Sequence, residues 1–258
     1  MRAILLCAGF GTRLYPITHD RPKALLEVRG HALLDDLVDR LLESGRISAL
    51  QIVSNHRFIG HFRAFCDRLA ARRPGVPLDL VDDGASEDAR RLGAVRDLAL
   101  ALERNPATES VLVAAGDNLF RFRLDAFLDE HTRRRESAIL VYPEPDRRRL
   151  CRSGVAVLGA EARVLRFVEK PAEPPSSFAC PPLYVFEPAA LARLPEFLRA
   201  EPAADAPGSF LAWLVPREPV FAHAMQGRRY DVGDPESYAR AGECLDEMER
   251  GSSPGPGE

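Results

Sequence analysis

The sequence predicts an α/β fold: a doubly wound, mostly parallel sheet carrying a small antiparallel layer from its C-terminal part. Three observations predict it. Short, continuously apolar runs such as "AILL" (3–6) recur through the N-terminal half, as in strands buried on both faces. Stretches with helical spacing separate them, and such alternation implies right-handed βαβ crossovers. After residue 150 the rhythm changes to short strands close together.

The elements follow in order. Leu33, Leu34, Leu37, Val38, Leu41 and Leu42 mark a first helix, and "LQIVS" (50–54) a second strand. Phe58, Ile59, Phe62, Phe65 and Leu69 mark a second helix, and "LDLVD" (78–82) a third strand. Leu92, Val95, Leu98 and Leu102 give a helix before "SVLVAAG" (110–116). A helix begins at Leu124, Phe127 and Leu128, and "SAILVY" (137–142) is the fifth strand. "GVAVL" and "RVLRFVEK" read as an antiparallel pair, "LYVFEP" and "PVFAHAM" as further strands, and "SFLAWLV" as one or two helical turns. Residues 230–248 give a strand end and a last helix, with Asp234 its N-cap and Pro235 in its first turn. Residues 249–258, Glu249 followed by "RGSSPGPGE", read as a disordered tail, leaving 1–248 as one domain.

Composition narrows the function. The 258 residues suffice for a substantial core. A net charge of −3 argues against a general nucleic-acid or membrane binder. No apolar run approaches the roughly 20 residues of a membrane span, and "MRAILLCAG" is too short for a signal peptide, so a cytoplasmic location is expected. The five cysteines are scattered without a C-x-x-C pair, which points to reduced thiols rather than a disulfide framework or a zinc site. The six histidines show no metal spacing, and Trp213 sits in an apolar run as a core residue.

The chemistry concentrates after the first strand, in "LLCAGFGTRLYPITHDRPKALLEV" (5–28). Glycines at a strand exit let backbone N–H groups approach phosphate oxygens. Gly9 and Gly11 lack the third glycine of a dinucleotide loop, and no G-K-[ST] follows as in a Walker loop. Arg13 and Lys23 stand here instead, and two fixed cations beside a backbone cradle suit a triphosphate. Ligands of such folds sit outside the carboxyl ends of the strands, so this loop and 116–120 are expected to share a crevice.

This stretch strongly resembles the signature of the sugar-1-phosphate nucleotidyltransferases, G-x-G-T-R-L-x-P-x-T-x-x-x-P-K-x-L-L-x-V, with every fixed position matched. The resemblance implies their Rossmann-like nucleotide-diphospho-sugar transferase fold. It also implies transfer of a nucleoside monophosphate from a nucleoside triphosphate to a sugar 1-phosphate, giving an NDP-sugar and pyrophosphate. The dTTP and glucose 1-phosphate enzymes, in their short form, are the best-known match. By this resemblance Leu6, Ala8, Gly9, Gly11, Thr12 and Arg13 hold the nucleotide, and Asp83 and the Leu92-Gly93-Ala94 backbone contact the base. Asp82-Asp83 stands where thymine- and uracil-reading members carry glutamine, which leaves the base open.

The resemblance extends further. "AAGDNLF" (114–120) places Asp117 as a Mg²⁺ ligand, "YDVGDPES" supplies Asp231 as the second, and Asn118 faces the acceptor. In "FVEKP" (167–171), Glu169 would hold sugar hydroxyls and Lys170 the acceptor phosphate, while Gly154 lies against the sugar. "FACPPLYVF" (178–186) lines the sugar pocket with Tyr184, but Pro181-Pro182 replace the usual small residues, so the acceptor is not fixed as glucose 1-phosphate.

The implied catalytic set is Arg13 on the outer phosphates, Lys23 between the reacting phosphates, and Asp117. The acceptor phosphate is already ionised, so neither a protein nucleophile nor a general base is required. Expected partners are a nucleoside triphosphate and a phosphorylated small molecule, with no nucleic acid and no membrane; homo-oligomerisation stays open. Three rivals compete: a cytidylyltransferase for phosphocholine or a phosphonate, a non-catalytic nucleotide-sugar-binding protein, and, weakly, a dinucleotide-dependent oxidoreductase.

Overall fold

Strand β1 (Arg2–Leu6) is buried at every position, because apolar residues cover both of its faces. Ala3 and Leu5 pack into one core and Ile4 and Leu6 into another, on opposite sides of the sheet. The computed structural model describes residues 1–250. After β1 come a short hairpin, β2 (Glu27–Val28) and β3 (His31–Ala32), then α1 (Leu33–Glu43), β4 (Ala49–Ser54), α2 (Ile59–Arg72), β5 (Leu78–Asp82), α3 (Ala94–Arg104) and β6 (Val111–Ala115). Next are β7 (Asn118–Arg121), α4 (Asp125–Arg134), β8 (Ser137–Pro143), α5 (Arg147–Leu150), β9 (Gly154–Leu158), β10 (Val164–Glu169), β11 (Phe178–Cys180) and β12 (Leu183–Phe186). The chain closes with α6 (Pro188–Leu191), α7 (Leu194–Ala200), α8 (Pro207–Leu214), β13 (Val220–Ala224), β14 (Arg228–Asp231) and α9 (Pro235–Arg250).

The central sheet runs β10-β9-β11-β8-β12-β6-β1-β4-β5, with β13 on β8. Strands β5, β4, β1, β6, β8 and β13 all point one way, and β12 is inserted antiparallel between β6 and β8. The mostly parallel sheet expected from the alternation is therefore present. Helices α1, α2 and α4 cover one face through Leu37, Phe62, Phe65 and Phe127, while α3, α7 and α8 cover the other through Val95, Leu98, Phe197 and Phe210. Each such side chain contributes roughly 1.5–3 kcal/mol by burial, which fixes the side each helix takes.

Four local outcomes differ from the sequence reading. The antiparallel pair β9–β10 does not form a separate layer; it joins the central sheet through β11. Residues 118–121 are a strand pairing with β14, where a loop was expected. Helix α3 starts at Ala94 because Gly93, at φ 92°, cannot be helical, and Leu92 is left exposed. Of the tail expected at 249–258, residues 251–258 lie outside the described residues, and α9 runs through 250. Asp234 does cap α9, its Oδ1 accepting from the Ser237 N–H at 2.8 Å, and Pro235 is the first helical residue. Trp213 packs against Phe197 and Phe210.

Candidate active site

β1 and β6 are parallel neighbours, with Leu6 opposite Ala115, so the loops that follow them leave the sheet side by side. Between these loops and the start of α3 lies a cleft of about 290 Å³. Leu6, Ala8, Gly9, Gly11, Thr12, Arg13, Lys23, Gly93 and Asp117 all line it.

The glycine loop is built by local chemistry. Gly11 takes φ 65° and opens a single 3₁₀ turn, Thr12–Leu14. A Cβ there would crowd Thr18 Cγ2 at 3.2 Å and Lys23 Cβ at 3.3 Å. Buried Thr18 donates from Oγ1 to the Gly11 carbonyl at 2.7 Å, which explains the threonine of the motif. Leu14 and Leu26 anchor the loop in a small core with Leu119 and Val232. Gly9 and Arg13 stay exposed.

Lys23 and Asp117 meet directly: Nζ donates to Oδ2 at 2.7 Å, and the Lys23 side chain is only 10% exposed. The other Asp117 oxygen accepts from Asn118 Nδ2 at 2.7 Å. Burial works against ionisation of Asp117, but the charge and hydrogen bond of Lys23 outweigh it and hold the carboxyl below the usual range.

At the opposite end, Gly93 brings its backbone against Asp205; a Cβ at 93 would lie 2.6 Å from Asp205 Oδ1. Asp205 in turn accepts from the Ala94 N–H and pairs with Arg91 at 3.1 Å. Asp83 does not line the cleft. Its Oδ1 accepts from the Ala85 N–H at 2.7 Å within its own loop. Asp97, one turn into α3, takes the place on the cleft wall.

The remaining predicted residues form a second group outside the cleft lining. Glu169 lies against Gly154 and Gly208, where any Cβ would collide with Phe167 or with the carboxylate itself. Burial pushes the Glu169 carboxyl up, partly offset by Lys170, whose Nζ is 3.9 Å away and whose side chain is exposed. Tyr184 is buried on β12, and burial drives its hydroxyl well above the usual range. Pro182 keeps the strand paired through its carbonyl, which accepts from the Ala115 N–H at 3.0 Å, while the Pro181 carbonyl accepts from the Leu183 N–H at 2.7 Å in a local turn.

Two side chains are absent from the sequence reading, Arg229 and Asp97, and the first of them links the groups. Arg229 donates from Nε to Asn118 Oδ1 at 2.6 Å and from Nη1 to the Tyr142 hydroxyl at 3.1 Å, and its Nη2 is 3.8 Å from Asp231. Alternation along an extended "RRYD" puts Arg229 on the face of Asp231, and that was its one legible signal. Asp97 could have been found as a carboxylate inside the apolar stripe of Leu98 and Ala101.

Asp231 is the register partner of Asn118, so β7 and β14 set two carboxylates, Asp117 and Asp231, at neighbouring places. Among the described residues no three His, Cys, Asp or Glu side chains gather as a metal cage. Two carboxylates that leave several positions to phosphate oxygens and water fit Mg²⁺ and not a structural transition metal. Among the described residues, no helix is long and apolar enough to cross a membrane.

Comparison with known proteins agrees with this geometry. The family model described as Nucleotidyl transferase matches residues 2–247. A UTP–glucose-1-phosphate uridylyltransferase of Haloferax volcanii is 28% identical over 73% of this chain and 73% of its own length. A mannose-1-phosphate guanylyltransferase catalytic subunit beta of Danio rerio is 29% identical over 95% of this chain, which spans 64% of that relative. A Bacillus anthracis protein crystallised with sucrose shares the fold at a TM-score of 0.82, with 24% identity over 99% of this chain and 98% of its own. The chain belongs to the nucleotidyl transferase family.

Proposed function

We propose that this chain transfers a nucleoside monophosphate from a nucleoside triphosphate to a sugar 1-phosphate, releasing pyrophosphate and an NDP-sugar. One observation carries the reading: the ion pair of buried Lys23 with half-buried Asp117, placed at the cleft wall beside Gly11, Thr12 and Arg13.

An acceptor phosphate oxygen attacks the α-phosphorus, the bond to the bridging oxygen breaks, and pyrophosphate leaves with that electron pair. The acceptor is ionised at neutral pH, so no proton has to move. The chain's task is therefore placement and charge neutralisation. The Gly9–Thr12 backbone receives the triphosphate, with no side chain at 9 or 11 to hold it off. Arg13 offers its fork to the outer phosphates that depart. Lys23 lies where charge builds up between the reacting phosphates, and its bond to Asp117 fixes it there. Glu169 accepts from acceptor hydroxyls, and exposed Lys170 meets the incoming phosphate. Asp117 and Asp231 would hold Mg²⁺, which when bound neutralises phosphate charge. Residues 1–248 act as one unit, in the cytoplasm.

The test is pyrophosphate release from a grid of nucleoside triphosphates and phosphorylated acceptors with Mg²⁺. Release that depends on a sugar 1-phosphate supports the reading. Release only with phosphocholine or a phosphonate replaces the acceptor, and tight NDP-sugar binding without any release makes the protein a non-catalytic binder.

A further inference from the structure

The base end of the cleft contains a side chain that this reaction leaves unemployed. Asp97 is 4% exposed and lines the cleft, yet its Oδ1 is buried with no hydrogen-bond partner among the described residues. A buried oxygen without a partner is costly, because it gives up its hydrogen bonds to water and gains none. Its surroundings add to the cost. Burial first, then the charges of Asp83 and Asp205, push the Asp97 carboxyl up to about 7. Asp83 also has a buried oxygen, Oδ2, without a partner. Arg91, the cation nearest this wall, is paired to Asp88 and Asp205. Nothing that the transfer step uses accounts for Asp97, which stands three residues past Ala94 in the first turn of α3.

We propose that Asp97 accepts a hydrogen bond from an exocyclic amino group of the nucleobase, so that the donor nucleotide carries cytosine, adenine or guanine and not uracil or thymine. This rests on the transfer reaction proposed above. The ionised carboxylate is selective because uracil and thymine offer one N–H flanked by two carbonyls, and those carbonyls would face its lone pairs, whereas the neutral acid would pair with either kind of base. An amino-bearing base offers the missing donor whichever way Asp97 is ionised. The neutral acid can in addition donate to the ring nitrogen beside the amino group of cytosine or adenine. The anion can accept the two adjacent N–H donors of guanine. Sites built to hydrogen-bond one substrate group reject the analogue without it by large factors, because their own polar atoms are left unpaired. The acidic wall departs from the thymidine nucleotide suggested by the resemblance of the glycine loop.

The experiment compares kcat/KM for CTP, ATP, GTP, ITP, UTP and dTTP at fixed sugar 1-phosphate and Mg²⁺, for the wild type and Asp97→Ala. The wild type should prefer one amino-bearing triphosphate over UTP and dTTP by about 100-fold or more. If that base is guanine, ITP, which lacks the amino group, should fall with UTP and dTTP. Asp97→Ala should narrow the ratio at least tenfold, chiefly through KM for the preferred nucleotide. Equilibrium binding of the same nucleotides, with circular dichroism to verify folding, separates lost recognition from lost structure. UTP or dTTP as the best substrate overturns the inference, and so does an unchanged ratio in a folded Asp97→Ala. No pyrophosphate from any triphosphate would instead remove the proposed reaction.

Discussion

The two ends of the cleft hang from one sheet and carry opposite chemistry. Where β1 and β6 end, the wall is glycine backbone, Arg13 and Lys23, and the carboxylate of Asp117 in it is already matched by Lys23. Where β5 ends and α3 begins, the acids Asp88, Asp97 and Asp205 line the wall with Arg91, and Asp97 has an unmatched oxygen. On the proposed reading the first end meets several oxyanions at once, for which long-range charge suffices, and the second meets donors on a neutral ring, where single hydrogen bonds decide. The comparison teaches that changes at the cationic end should alter rate for every nucleotide alike, while changes at the acidic end should alter the choice among nucleotides.

Substitutions can break that division or sharpen it. The largest effect is expected at the cationic end. Lys23→Ala or Asp117→Ala should each cost at least ~100-fold in turnover, by the same factor for every nucleotide, as measured by pyrophosphate release. Near-normal turnover would remove that residue from the catalytic set. Next comes Arg229→Gln, which loses the guanidinium between Asn118, Tyr142 and Asp231; a roughly 10-fold fall in kcat, with a higher Mg²⁺ requirement, is expected from a residue that only positions carboxylates. Gly93→Ala follows. It forces a side chain into φ 92° and against Asp205 Oδ1, at a cost of about 1–3 kcal/mol read from denaturant unfolding, with weaker nucleotide binding and a smaller loss of kcat.

The last is a pH effect at Asp97, read in stability and not in turnover. Its carboxyl is raised from 3.8 to about 7, so over that interval the native state holds a proton that the unfolded chain has lost. Stability must therefore fall as pH rises through the interval and level off above it. Asp97→Asn should flatten that slope by on the order of a few kcal/mol across the interval, seen as the difference between the two unfolding curves. A wild-type curve that rises relative to the variant would show that Asp97 is not a strained buried acid.

Much of this was legible because local rules agree with the final fold. The strand "AILL" and the periodicity of Leu33 to Leu42 each name the faces they bury, and those faces are the ones covered. The loop from Gly9 to Lys23 could be read since its glycines, Thr18 and Lys23 interact within a few residues of one another. What escaped depends on pairs far apart in the chain. The insertion of β12 between β6 and β8 leaves no local trace, because "LYVF" is equally apolar in any sheet position. Arg229 meets partners 111 and 87 residues away. Asp83 and Asp97 had opposite fates for the same reason: the carboxylate beside the strand end folds back on its own loop, and the one on the helix is buried in the wall.

The central claim is that the outer phosphates of a nucleotide lie against Gly11, Thr12 and Arg13, within reach of Lys23. A crystal structure with Mg²⁺ and a non-hydrolysable nucleoside triphosphate tests it most directly. The account predicts the β- and γ-phosphates on that backbone, the metal on Asp117 and Asp231, and the base beside Gly93 and Asp97. A triphosphate bound away from the Gly11–Arg13 turn would contradict it.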